Sequence, residues 1–128
     1  WYETNDPNIN HDFYRGVGLM NNGNLKASIF YFDRVIKKNP NFAEAWNKRA
    51  TVYYLLGKFD KSILDISETL KLEPRHFGAM DGLALIFIHQ KKFQKALEIY
   101  EEVIKIFPKS KITLQKKNRI LKYVSKGA

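Results

Sequence analysis

The stretch Ala43 to Pro74, AEAWNKRATVYYLLGKFDKSILDISETLKLEP, carries the reading of the whole chain. Its first part, Ala43 to Leu56, places large apolar side chains at Trp46, Tyr53 and Leu56 with small Ala50 between them, and holds no proline or internal glycine. That spacing is helical. Gly57 can take the left-handed backbone that ends a helix. A second helix is then expected from about Phe59 to Leu72, with Ile63, Ile66 and Leu70 along one face. Pro74 stops it, because proline lacks an amide donor and steers the preceding residue, Glu73, away from helical geometry.

The same unit recurs on both sides. Pro40, Pro74 and Pro108 stand 34 residues apart with no proline between them. Sliding the chain by that period superposes Gly16, Ala50 and Ala84, and likewise Ser28, Ser62 and Ala96. Bulky residues recur at Leu19, Tyr53 and Phe87, at Leu25, Phe59 and Phe93, and at Phe32, Ile66 and Tyr100. A fixed period of this length means stacked helical hairpins, since one hairpin cannot cover its own apolar face. The small residues fall where the two helices of a pair cross closely, and the bulky ones fill the space around them. Fully burying one such side chain contributes roughly 1.5–3 kcal/mol.

These residues carry a resemblance. The order Trp46, Ala50, Tyr53, Ser62, Ile66 and Pro74, echoed by Met80, Leu83, Ala84, Phe87, Ala96, Tyr100 and Pro108, resembles the tetratricopeptide repeat, a helix-turn-helix unit of 34 residues. It covers about Ile9 to Pro108. Repeat one departs most, with Asp12 where the family often has Trp, and Lys91 stands where the other repeats have Gly23 and Gly57, which leaves the third hairpin turn open. The strings FAEAWNKRATVYYLLG and LEPRHFGAM look like those of uncharacterised bacterial, mainly alphaproteobacterial, members. Such members often carry an export signal, which implies a periplasmic protein if the missing N-terminus has one and a cytoplasmic protein otherwise. The resemblance implies an all-α, right-handed α-solenoid of three repeats plus a C-terminal capping helix.

The expected organisation is one domain: an irregular arm over 1–8, repeats over 9–42, 43–76 and 77–110, and a basic capping helix and tail over 111–128. Asn5, Asp6, Pro7 and Asn8 form the turn-rich part of the arm. Trp1 and Tyr2 are expected to cover the apolar end of repeat one or to belong to an upstream helix. In Lys111 to Val124, Ile112, Leu114, Ile120, Leu121 and Val124 are expected to face the last repeat, with Lys116, Lys117 and Lys122 in water.

A chain of 128 residues with 45% hydrophobic residues can bury a core without disulfides, and it has no cysteine to form one. No run approaches the roughly 20 apolar residues of a membrane-spanning helix. The net charge of +9 is concentrated late in the chain: Lys109, Lys111, Lys116, Lys117, Arg119, Lys122 and Lys126 meet no acid after Pro108.

In a tetratricopeptide stack the first helices line the concave surface, so the resemblance implies a protein-binding groove. Its residues would be Phe13, Val17 and Met20 from repeat one, and Glu44, Asn47, Thr51, Tyr54 and Leu55 from repeat two. Repeat three would add Asp81, Leu85, Ile88 and His89, and the capping helix Gln115, Arg119, Lys122 and Tyr123. A partly apolar surface with polar anchors suits a peptide or amphipathic helix of a partner protein. The convex face and the arm are alternative contact surfaces. Members that grip a chaperone's C-terminal carboxylate use two Lys, two Asn and an Arg. The matching places here hold Phe13, Val17, Lys48, Gly78 and Gly82, or one repeat later Asn47, Thr51, Asp81, Ile112 and Lys116, so no chaperone-tail partner is expected.

Signals for chemistry are weak. His11, His76 and His89 share no helical i, i+4 spacing and there is no HExxH string, so neither metal nor cofactor is expected. Glu101 and Glu102 are adjacent on a helix and point different ways, and Gly57-Lys58 lacks the rest of a phosphate loop. An enzyme is therefore not expected. The competing reading is attraction of Lys116, Lys117, Arg119, Lys122 and Lys126 to an anionic polymer or surface, nucleic acid or membrane. It lacks the interleaved aromatics of a base-stacking platform.

Overall fold

The computed structural model describes residues 4–126, so the expectations for Trp1 and Tyr2 lie outside the described residues. Among the described residues seven helices follow in order: α1 (Pro7–Asn21), α2 (Leu25–Lys38), α3 (Ala43–Leu55), α4 (Phe59–Leu72), α5 (Phe77–His89), α6 (Phe93–Ile106) and α7 (Lys111–Ser125). No strand occurs among the described residues. The chain forms two compact units, one ending at His76 with α1 to α4 and one beginning at Phe77 with α5 to α7.

Local chemistry explains where each helix begins and ends. The irregular arm is shorter than the turn-rich composition predicts, because α1 already starts at Pro7. Asp6 caps it, its Oδ1 accepting from the amides of Asn8 at 2.8 Å and Ile9 at 3.4 Å, and Pro7 sits where a helix needs no amide donor. Asn10 then holds the arm down: its Oδ1 accepts from the Thr4 amide at 2.7 Å, and its Nδ2 donates to the Thr4 carbonyl at 2.9 Å.

Within each hairpin the turn is built the same way. The Gly57 amide donates to the Tyr54 carbonyl at 2.9 Å and the Lys58 amide to the Tyr53 carbonyl at 2.8 Å. Gly23 and Asn24 repeat this on Met20 and Leu19, and Lys91 and Lys92 repeat it on Ile88 and Phe87. Such a turn requires a left-handed residue, and φ is +82° at Gly23, +76° at Gly57 and +59° at Lys91. The third turn therefore keeps the common geometry although a side chain occupies the glycine position.

Between hairpins the prolines act as expected. Asn39, Glu73 and Phe107 each leave the helical region just before a proline, with φ of −142°, −135° and −125°. Each carbonyl then accepts from the amide three residues on, Phe42, His76 and Ser110, at 3.1 Å.

Packing in the first unit centres on Phe13, which is 1% exposed, stacks on Phe42 at 4.9 Å between ring centroids and lies 6.0 Å from Phe32. Ile9, Val35, Ile36, Ala45 and Val52 complete this core. The small residues lie where the helices approach. A Cβ on Gly16 would stand 2.7 Å from Cε1 of Phe32, and Ser62 Oγ donates to the Ala50 carbonyl across the second hairpin at 2.7 Å. In the second unit Ala84 and Ala96 are wholly buried beside Leu97, Tyr100 and Ile120.

The orientation of α7 corrects the expectation from sequence. Thr113 and Ile120 are its buried residues, whereas Ile112 is 66% exposed and Leu114, Leu121 and Val124 are also exposed. Lys116 and Lys117 turn inward instead, Lys116 Nζ lying 2.6 Å from Asp81 on α5 and Lys117 Nζ 3.8 Å from Glu101 on α6. A lysine stem can cover apolar surface while its ammonium meets a carboxylate at the edge. The inward lysines thus complete the α5–α6 face and leave the leucines in water.

Candidate functional site

Helical spacing puts the predicted residues Asn47, Thr51, Tyr54 and Leu55 on one line along α3. Val17 and Met20 on α1 are half-buried against the core, and Asn47 on α3 is half-buried. One turn on, Thr51 is exposed with its hydroxyl donating to the Asn47 carbonyl at 3.1 Å. Tyr54 is half-buried with its ring 5.7 Å from that of Phe59, and Leu55 is 54% exposed at the helix end. The accessible part of the line therefore runs from Asn47 to Leu55, polar first and apolar last.

Two predicted residues belong elsewhere. Phe13 is the centre of the core and presents nothing to a ligand. Glu44 is 8% exposed, and its carboxylate is held by His76 Nε2 at 2.8 Å and by Lys48 Nζ at 3.7 Å. The hydrogen bond to Glu44 raises the His76 pKa above its ordinary 6.5 despite partial burial, helped by the negative charges of Glu44 and Glu73. Burial alone would raise the Glu44 pKa, but His76 and Lys48 outweigh it and hold the carboxyl below its ordinary 4.5. This pair ties the start of α3 to the turn after α4.

In the second unit the predicted residues divide similarly. Leu85, His89 and Arg119 are exposed, while Ile88 packs against the α5–α6 core. Asp81 is spoken for by Lys116, and its charge adds to burial in pushing the Tyr100 hydroxyl up to about 12. Tyr123 is exposed at one edge, with its ring 5.0 Å from Phe93.

One polar cluster escaped the sequence reading. Arg49 on α3 donates from Nε and Nη2 to the two oxygens of Asp65 on α4, and from Nη1 to Asp33 on α2, all at 2.8 Å. Its guanidinium also lies over Trp46, 5.1 Å from the ring centroid. Burial keeps the Asp65 pKa raised against the pull of the guanidinium. A bidentate fork of this kind joins three helices. The period offers a signal for it, because Arg15 and Tyr31 occupy the same two places in repeat one, with the cation 5.9 Å from the ring, and Leu83 and Ile99 occupy them in repeat three.

Comparison with known proteins agrees with this architecture. The family model described as anaphase-promoting complex, cyclosome, subunit 3 matches residues 21–103. A TPR repeat-containing protein of Rhizobium etli is 35% identical over 94 residues, which is 73% of this chain and 46% of that protein. Hsp70-Hsp90 organizing protein 3 of Arabidopsis thaliana is 26% identical over 96% of this chain and 22% of its own length. The chain thus spans less than half of either relative. Among solved structures, the first TPR of Spaghetti (RPAP3) bound to an HSP90 peptide superposes with a TM-score of 0.84 at 16% identity, covering 95% of this chain and 99% of that one. The Sgt2 TPR domain from Aspergillus fumigatus gives 0.82 at 17% identity, covering 95% and 82%. Hairpins of one period, closed by the same turns and built around small residues at the same positions, together with these matches, place the chain in the tetratricopeptide-repeat family.

Proposed function

We propose that this protein is a non-catalytic scaffold or adaptor that binds a peptide or helix of a partner protein on the first-helix face of its repeats. Tetratricopeptide domains are protein-interaction modules in general, and one structural neighbour is bound to an HSP90 peptide. The observation that carries the reading is the α3 line, where Asn47 and Thr51 offer polar groups and Tyr54 and Leu55 an apolar end. Apolar anchors there supply affinity and the polar groups fix the register of the bound segment. On the second unit, Leu85, His89, Arg119 and Tyr123 are the corresponding accessible residues.

The partner is expected to differ from a chaperone tail. Of the places that would grip a terminal carboxylate, Phe13 is buried and Lys116 already neutralises Asp81. For the alternative, an anionic polymer or surface held by α7, Lys116 and Lys117 are engaged by Asp81 and Glu101, while Arg119, Lys122 and Lys126 remain exposed. The test is capture of the partner by the native-length protein, with Leu55→Ser and Leu85→Ser introduced separately and together. Both side chains are exposed, so the fold is expected to survive and capture to fall at least tenfold in the double variant. Unchanged capture by a folded double variant would remove the first-helix face as the contact surface.

A further inference from the structure

The first-helix line changes its chemistry along the chain. Register puts Thr51, Leu85 and Arg119 at one position of successive first helices, and Leu55, His89 and Tyr123 at another. All six are exposed. On α3 and α5 these positions stay open although another first helix follows each of them in the chain, so stacking of repeats does not cover them. The α3 line, Asn47, Thr51, Tyr54 and Leu55, carries no charge, whereas α5 and α7 together hold five Lys or Arg against one acid, Asp81.

Three helices of the second unit bring polar groups toward that acid. Lys116 Nζ on α7 lies 2.6 Å from Asp81 Oδ1 on α5. The Tyr100 hydroxyl on α6 is pushed up to about 12 by burial and by the Asp81 charge, with Arg119 pulling the other way, so Asp81 and Arg119 both act on one group. Two cations thus meet one carboxylate. Lys116 satisfies Asp81, and the exposed Arg119 guanidinium offers a planar fork of donors that fits a second carboxylate. One turn on from Asp81 stands Leu85, exposed and apolar, and one turn on from Arg119 stands Tyr123.

We infer that the first-helix face of the second unit takes an acidic segment of a partner protein, with a side-chain carboxylate on Arg119 and a neighbouring apolar side chain against Leu85. This deepens the first-helix reading and rests on it. Charge selects the occupant, because a basic segment would meet Arg119 and Lys122 with only a neutralised acid to offset them. Phosphates of a polyanion would satisfy Arg119 but leave Leu85 in water. A second copy of the chain would have to offer acids of α6, and there Glu101 and Glu102 are already paired with Lys117 and Lys105.

The test uses three peptides blocked at both ends, identical except that a central leucine is flanked by glutamate, by glutamine or by lysine. Fluorescence anisotropy on the 128-residue chain is expected to show the glutamate peptide binding roughly tenfold tighter than the glutamine peptide, and the lysine peptide binding more weakly still. Amide chemical shifts of the unaltered chain should move at Leu85, Arg119 and Tyr123. Arg119→Glu should reverse the order of the glutamate and lysine peptides, and Arg119→Lys should keep it, with helicity unchanged by circular dichroism because the residue is exposed. No binding of any peptide, equal binding of all three, an order that Arg119→Glu leaves alone, or shifts confined to α6 would overturn the inference. So would an RNA oligonucleotide that displaces the glutamate peptide at lower concentration, or a dimer in sedimentation that Arg119→Glu breaks. Failure of the first-helix reading looks different. Partner capture by the native-length protein would then be indifferent to Leu55→Ser and Leu85→Ser, whereas failure of this inference alone leaves capture sensitive to those leucines and indifferent to Arg119→Glu.

Discussion

At the scale of single residues, Lys91 carries the clearest strain. An L-residue in left-handed geometry costs about 1–2 kcal/mol, and Lys91 stands at φ +59° where two sister turns use glycine. Lys91→Gly removes that strain but adds freedom to the unfolded chain, so a net gain of about 0.5–1 kcal/mol is expected in urea unfolding. The pair of Glu44 and His76 predicts a pH signature. A histidine whose pKa is raised in the fold contributes stability that is complete below about 6.5 and disappears as the pH climbs through the raised value. Glu44, held below 4.5, contributes above that value and is lost as the pH falls through its folded pKa. His76→Gln, which gives up a charge-assisted hydrogen bond, is therefore expected to cost about 1–2 kcal/mol near pH ~5.5 and clearly less near pH ~8.5, measured by denaturation at both. An equal cost at the two pH values would show that the imidazole acts only by packing.

Among the elements, the hairpin crossing is the part most sensitive to size. Phe32 is wholly buried and cannot swing away from a methyl group at position 16, so Gly16→Ala is expected to destabilise the chain by about 1–3 kcal/mol. Gly18→Ala makes the matching control. It lies on the same helix with nothing within 4 Å of the added carbon, and should stabilise by up to about 1 kcal/mol. Thermal unfolding of the two variants against the parent reads both signs. Helix limits were legible in the sequence because Gly57, Gly23 and the residues before Pro40, Pro74 and Pro108 act through their own backbone torsions. The Lys91 turn was less so, since no local rule announces a lysine at positive φ. The roll of α7 was not legible either. Its apolar residues and its lysines both recur at helical spacing, and only Asp81 and Glu101, far away in sequence, decide that the lysines turn inward. Similarly, the start of α1 was misjudged because Asn5 to Asn8 read as a turn, whereas Asp6 and Pro7 act as a helix start.

For the whole molecule, the family was legible because a period of 34 residues leaves many aligned positions, and chance does not place Gly16, Ala50 and Ala84 in one column with bulky neighbours in the next. The candidate surface was legible only in part. Helical phase puts Phe13 and Glu44 a fraction of a turn from the accessible line, and a side chain that close to the boundary is assigned by its neighbours, Phe42 for one and His76 for the other. Charge also differs across the chain: up to His76 eleven bases meet nine acids, whereas almost all the excess lies from Phe77 onward. The account rests on partner binding along the first helices. Placing a photo-crosslinking phenylalanine at exposed Thr51 on α3, and separately at exposed Ser67 on α4, tests this most directly in cells producing the native-length protein. The expected result is a covalent adduct with a partner protein from Thr51 and none from Ser67; an adduct from Ser67 with none from Thr51 would contradict the account.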